Sequence, residues 1–240
     1  MRLGLLLWLV GMVGVLVFAL LPLPHQLVDR PLRIPLWVIQ ALGLAQTSLT
    51  LAVAVALGTR LAPSVGLRAP AFEALVAWRW PGRALLPQIV PALAGGVLCA
   101  AVLLLFARRS PSEIDTVAAS AFDPSLLVRV LYGGITEELL LRWGVMTVLL
   151  WLLTRLVRGR DATPGRVLVA LAVLLSALLF GLGHLPTVVA FGGELTRGVV
   201  LHVIGGNTLF GSVVGVLFWR YGLEAAMLAH ALAHVFMFAL

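Results

Sequence analysis

Glu137, Glu138 and Arg142 stand close together in "GGITEELLLRW", residues 133 to 143, between apolar stretches long enough to cross a membrane. A charged side chain in hydrocarbon costs on the order of 2.5–3.5 kcal/mol on insertion scales, so this cluster requires a partner or a purpose. The other polar residues inside apolar runs are few. Among them are His184 in "FGLGH", His202 and Asn207 in "HVIGGN", and His230 and His234 in "HALAH". Glu138 and Arg142 are four apart with the acid first, the favourable order for a helical ion pair. Consecutive helical residues project about 100° apart. With Glu138 neutralised by Arg142, Glu137 faces elsewhere and needs another partner. His230 and His234, also four apart, share one face of their helix. A carboxylate beside an imidazole in a water-filled cavity is general-base machinery, because a carboxylate withdrawn from bulk water is a stronger base. Two further imidazoles can stabilise the oxyanion that forms as a peptide carbonyl becomes tetrahedral. The chemistry indicated is hydrolysis of an amide inside or beside a membrane.

The elements that must carry these residues are apolar helices. The 240 residues are 61% hydrophobic and only 11% charged, against roughly 25% charged in soluble domains. Continuous apolar runs exclude an alternating β-barrel. Candidate spans are 3–22, 35–58, 85–107, 135–156, 166–186, 197–219 and 222–240, each near the ~20 residues that cross the hydrocarbon. The first reads as a retained span, not a signal peptide, since it lacks a small-residue cleavage site. The expected fold is an all-α polytopic helical bundle of about seven transmembrane helices, with room for an eighth or for a re-entrant 124–134. It forms one integral membrane domain, 1–240. Residues 1–123 supply N-terminal spans and connections, and 124–240 carry the motifs on the last four spans. "AFEALVAWRW" reads as a short interfacial helix with Trp78 and Trp80 at headgroup depth. Gly133-Gly134 reads as a break before the glutamate span. The glutamates open one span, His184 closes the next and the histidine pair lies midway to late on the last, so antiparallel packing brings them into one half of the membrane.

All 17 basic residues are Arg, a bias of GC-rich bacterial genomes, which points to a bacterial inner membrane. Ten lie at the N-terminus and in the even-numbered connections and five in the odd-numbered ones, so the positive-inside rule places the N-terminus in the cytoplasm. Basicity therefore sets topology, and no basic, aromatic-interleaved patch suits nucleic acid. The single Cys99 excludes disulfides and thiolate metal sites and reads as a small packing residue.

"EELLLR", "FGLGH" and "HALAH" resemble, in this order, the EExxxR, FxxxH and HxxxN motifs of the CPBP family, which includes CAAX prenyl proteases and bacteriocin-processing enzymes. The resemblance covers about residues 124–240. It implies an intramembrane glutamic endopeptidase whose partners are the lipid bilayer and a membrane-anchored protein or peptide substrate. Glu137 would activate water with His184, His230 would hold the oxyanion, and Glu138 with Arg142 would be the supporting pair. His234 departs from the pattern, standing where the family has Asn, and a neutral imidazole can still donate one hydrogen bond. His202 and Asn207 are candidate cavity-lining residues, although Gly205 and Gly206 beside them suit close helix packing. The resemblance implies catalysis without a cofactor. The alternative is zinc held by His184, His230 and His234, since HxxxH presents two ligands on one helix face. A non-enzymatic scaffold or regulator that keeps the family core is the alternative from another class. A proton-coupled transporter is disfavoured by the short chain and the lack of inverted repeats. With the cytoplasmic N-terminus, the site opens away from the cytoplasm, which suits removal of sorting signals better than cytosolic CAAX processing. No sequence feature sets the oligomeric state.

Overall fold

The computed structural model describes residues 1–21, 34–114, 125–159 and 162–239, and every regular element among them is helical. In chain order these are α1 (Arg2–Ala19), α2 (Leu36–Leu61) with a 3-10 turn after it, the short α3 (Pro70–Val76) and α4 (Gly82–Ala107). There follow the long helix α5 (Leu126–Arg158), then α6 (Arg166–Ala190), α7 (Arg197–Tyr221) and α8 (Leu223–Ala239). All but α3 and α8 are long and apolar enough to cross a membrane. The 17-residue α8 is apolar too, at the lower limit of a span. The polytopic helical bundle expected from hydropathy is therefore the observed fold. The expected boundary at 123–124 lies outside the described residues.

The bundle is organised around α5, which packs against α1, α2, α6 and α8. Two further contacts close the arrangement, α6 on α7 and α4 on α8. Lipid gives apolar side chains little reason to leave it, so packing here depends on close approach and polar ties. Thr136 Oγ1 donates to the Gly11 carbonyl of α1 at 2.7 Å, and Trp143 Nε1 donates to Thr59 Oγ1 of α2 at 3.3 Å. Leu5, Trp37, Leu49, Val90 and Leu174 are among the many large apolar side chains left exposed on the outer faces, as lipid-facing residues must be. Cys99 is fully buried with its Sγ 4.0 Å from the Phe210 carbonyl, the packing role expected for it.

The glutamate-bearing helix differs from expectation. No break occurs at Gly133-Gly134: the helix is continuous from Leu126, so 126–134 form the first part of this span. Instead the backbone widens into π-helical turns over Arg129–Glu137 and Leu139–Met146, whose hydrogen bonds reach five residues back. Two threonine hydroxyls follow the same spacing, Thr136 to the Leu131 carbonyl and Thr147 to the Arg142 carbonyl. The glycine pair serves close approach. A Cβ at Gly134 would stand 2.9 Å from the Ala231 Cβ of α8 and 3.1 Å from its backbone.

The short interfacial helix is present as α3, and Trp78 and Trp80 beyond it are highly exposed. Its anchor was not foreseen. Glu224 is only 5% exposed at the start of α8, and its Oε1 accepts the backbone N–H groups of Ala71 (2.8 Å) and Phe72 (2.9 Å). Gln88 of α4 donates to Oε2 at 3.3 Å and accepts from Ala225 N at 2.8 Å. One carboxylate thus satisfies the orphan donors at the first turn of α3 and joins α3, α4 and α8. Removing it strands buried donors, at about 1–3 kcal/mol. Glu224→Ala should therefore clearly lower the thermal unfolding midpoint in detergent. Arg68→Ala, which breaks the largely exposed pair with Glu73 (2.9 Å), should lower it far less, since exposed pairs contribute about 0–1 kcal/mol.

Candidate active site

Four helices, α5 to α8, bring the polar residues of the motifs together. The centre is Glu138 on α5, whose side chain has no exposed surface. Its Oε1 accepts from Arg142 Nη1 at 3.0 Å, the expected i,i+4 pair, and lies 2.7 Å from His230 Nδ1 on α8. Arg142, also fully buried, sends Nη2 to the Gly211 carbonyl of α7 at 3.1 Å and lays its guanidinium over the Phe180 ring of α6 at 4.9 Å. Gly211 permits this: a Cβ there would stand 2.9 Å from Arg142 Nη2 and from the Ala177 Cβ.

The ionised Glu138 can only accept, so the hydrogen between it and His230 rests on Nδ1. The opposite nitrogen, Nε2, is turned towards Glu137, whose Oε2 lies 4.0 Å away. The Glu137 side chain retains 19% exposure. An oxygen about 2.8 Å from both atoms would complete a triangle on that 4.0 Å base, with an apex near a right angle. Adjacent residues thus receive different surroundings. Glu138 is sealed in an ion pair, whereas Glu137 faces an imidazole and stays partly exposed.

His234, one turn beyond His230 on α8, has its ring centroid 5.2 Å from that of His230. Its Nδ1 is buried with no hydrogen-bond partner among the described residues. The Nε2 atoms of both rings approach Gly133 of α5, where an added Cβ would be 3.3 Å from each. His184 on α6 fixes its ring by Nδ1 against the Phe180 carbonyl, 2.8 Å away, which leaves Nε2 for other contacts. Its ring also packs edge-on against Phe180 at 4.6 Å, and Phe180 lies 6.2 Å from His230. Glu137 and His184 do not touch each other among the described residues; the imidazole within 4.0 Å of Glu137 is His230.

His202 packs edge-on against Phe106 at 5.1 Å, and Asn207 donates to the Val203 carbonyl of its own helix at 2.8 Å. Both sit on α7 before Phe210, the residue whose ring reaches His230 (4.6 Å) and His234 (6.5 Å). Among the described residues no three His, Cys, Asp or Glu side chains are grouped so as to hold a metal ion. Sequence reasoning missed the aromatic walls, Phe180 and Phe210, and the carbonyl of Gly211. Phe180 was in view as the first residue of "FGLGH", four before His184, and its place against Arg142 accounts for an aromatic there. Phe210 and Gly211 carry no comparable signal.

The family model for type II CAAX prenyl endopeptidases, Rce1-like, matches residues 120–236, which hold all three motifs. Just under half of the chain, residues 120–236, is thus similar to the Rce1-like CAAX protease family. No curated protein and no solved structure matches it. The Rce1-like family implies CAAX protease activity, and the apolar helices mark the chain as an integral membrane protein.

The buried pair is a sharp structural test. Arg142→Leu strands the Glu138 charge, and breaking a buried pair from one side costs about 3–5 kcal/mol. It should unfold the protein or lower its midpoint steeply. The double substitution Glu138→Leu/Arg142→Leu should recover most of that stability in the same unfolding measurement, while leaving His230 without its Nδ1 acceptor.

Proposed function

We propose that the chain is an intramembrane endopeptidase that hydrolyses a peptide bond of a membrane-anchored protein, with Glu137 as the general base. The observation that carries this reading is the position of Glu137 Oε2, 4.0 Å from an imidazole nitrogen whose ring is locked from behind by a buried carboxylate. A water held there gives a proton to Glu137, and its oxygen adds to the scissile carbonyl carbon. His184, held by its Nδ1 on the Phe180 carbonyl, presents Nε2 to assist the water. The developing oxyanion accepts hydrogen bonds from Nε2–H of His234 and, with a hydrogen on both nitrogens of its ring, from Nε2–H of His230. When the tetrahedral intermediate collapses, the C–N bond breaks and the proton on Glu137 passes to the leaving amine. Glu138 and Arg142 position His230 and touch no reacting atom.

This scheme uses carboxylate and imidazole chemistry alone. The bacterial inner membrane is the proposed location. Glu137 lies in the first part of α5, and the distribution of arginines turns that end away from the cytoplasm, which favours surface-protein sorting signals as substrates.

Comparing protein termini by mass spectrometry in cells carrying wild type or Glu137→Gln tests the function. The variant should lose cleavage at least about 100-fold while keeping its unfolding midpoint, and a defined set of membrane proteins should retain an extra anchored tail. Unchanged termini, together with a deletion phenotype that Glu137→Gln rescues, would establish the scaffold reading instead. Incubating wild-type membranes with a zinc chelator should leave processing intact, and its loss, restored by added zinc, would require a metal.

A further inference from the structure

The two glycines that precede the glutamates face α8 differently. Gly134 meets the Ala231 backbone and Cβ, so its bare Cα sets the distance between α5 and α8. Gly133 meets no backbone of α8 among its closest neighbours: its hypothetical Cβ is 3.3 Å from His230 Nε2, 3.3 Å from His234 Nε2 and 3.7 Å from His234 Cδ2. The two nitrogens that converge there have different hydrogen-bonding demands. His230 gives its Nδ1 hydrogen to Glu138. His234 has a buried Nδ1 with no partner among the described residues, so its ring can engage a polar group only through Nε2. With a hydrogen on each Nε2, which for His230 means a hydrogen on both ring nitrogens, the two rings can donate to a single small oxygen beside the bare Cα of Gly133.

We propose that Gly133 is a positioning residue of the protease: its missing side chain keeps open the space in which His230 and His234 together bind the carbonyl oxygen of the substrate. This rests on the proteolytic reading above and assigns the Gly133-Gly134 pair two separate tasks, room for an oxygen and room for a helix. It also gives the imidazole of His234 a reason to be longer than the Asn found at that position in the family, since it reaches over Gly133 to the same point as His230. A methyl group on Gly133 would stand within tight contact of both nitrogens. The rings could yield by a few tenths of an ångström, so folding survives while the oxygen loses its place.

The test expresses Gly133→Ala, Gly134→Ala and Gly133→Ala/His234→Asn in cells lacking the wild-type protein. Each is scored on those termini that differ between wild type and Glu137→Gln, and on the unfolding midpoint of the purified protein in detergent. Gly133→Ala should lower processing about 100-fold, the scale of losing an oxyanion donor, at an unchanged midpoint. Gly134→Ala should lower the midpoint. Adding His234→Asn to Gly133→Ala should restore part of the processing, because the shorter side chain withdraws the crowded nitrogen. The inference is overturned if Gly133→Ala processes like wild type, or if it loses activity and midpoint together as Gly134→Ala does, with no rescue. Termini unchanged even in Glu137→Gln would remove the proteolytic reading itself, a result distinct from either.

Discussion

The Glu138 carboxylate, buried to the last oxygen, is the point on which the arrangement of the last four helices depends. One of its oxygens serves two cations or donors at once, Arg142 from its own helix and His230 from α8. Arg142 in turn reaches the Gly211 carbonyl on α7 and the Phe180 ring on α6. A single ion pair therefore touches every helix that bears a motif. Desolvating two charges costs several kcal/mol per ion, and an apolar pair of the same volume would serve packing as well or better. What the ion pair supplies is orientation. It holds an imidazole with a chosen nitrogen turned towards Glu137, in a medium where an unpaired polar group would be expensive.

The surrounding helices supply what that pair cannot. In lipid there is little gain from hiding apolar side chains, so the contacts that fix geometry are small residues and isolated hydrogen bonds. Gly134 lets α8 approach α5, Gly211 lets Arg142 reach a carbonyl, and Thr136 ties α5 to α1. At the other end of α8, the Glu224 and Gln88 cluster fastens it to α3 and α4. The helix that presents His230 and His234 is thus held near its start and again at the site.

The sequence was legible where cost is local. Charges in an apolar run are so unfavourable that Glu137, Glu138 and Arg142 announce themselves, and four-residue spacing correctly paired Glu138 with Arg142. Hydropathy placed the spans because length and apolarity are properties of each segment alone. Pairings between helices were not legible. Nothing in the order of residues says that Glu138 would also take His230, or that Phe210 would wall the site. Gly133-Gly134 suggested a break because glycine weakens helices in general. In the structure the helix continues, because contact with α8 repays that cost. Glu224 was passed over for a similar reason: its partners are backbone groups more than 150 positions away, which no periodicity reveals.

The central claim is that Glu138 fixes the proton on His230 Nδ1 and so presents Nε2 to Glu137. Nitrogen-15 NMR of the purified protein with labelled histidine, its His230 signals assigned by comparison with His230→Gln, reads this directly. The expected result is a protonated Nδ1 on His230 that responds to Glu138→Gln. A neutral His230 carrying its hydrogen on Nε2, unaffected by that substitution, would contradict it.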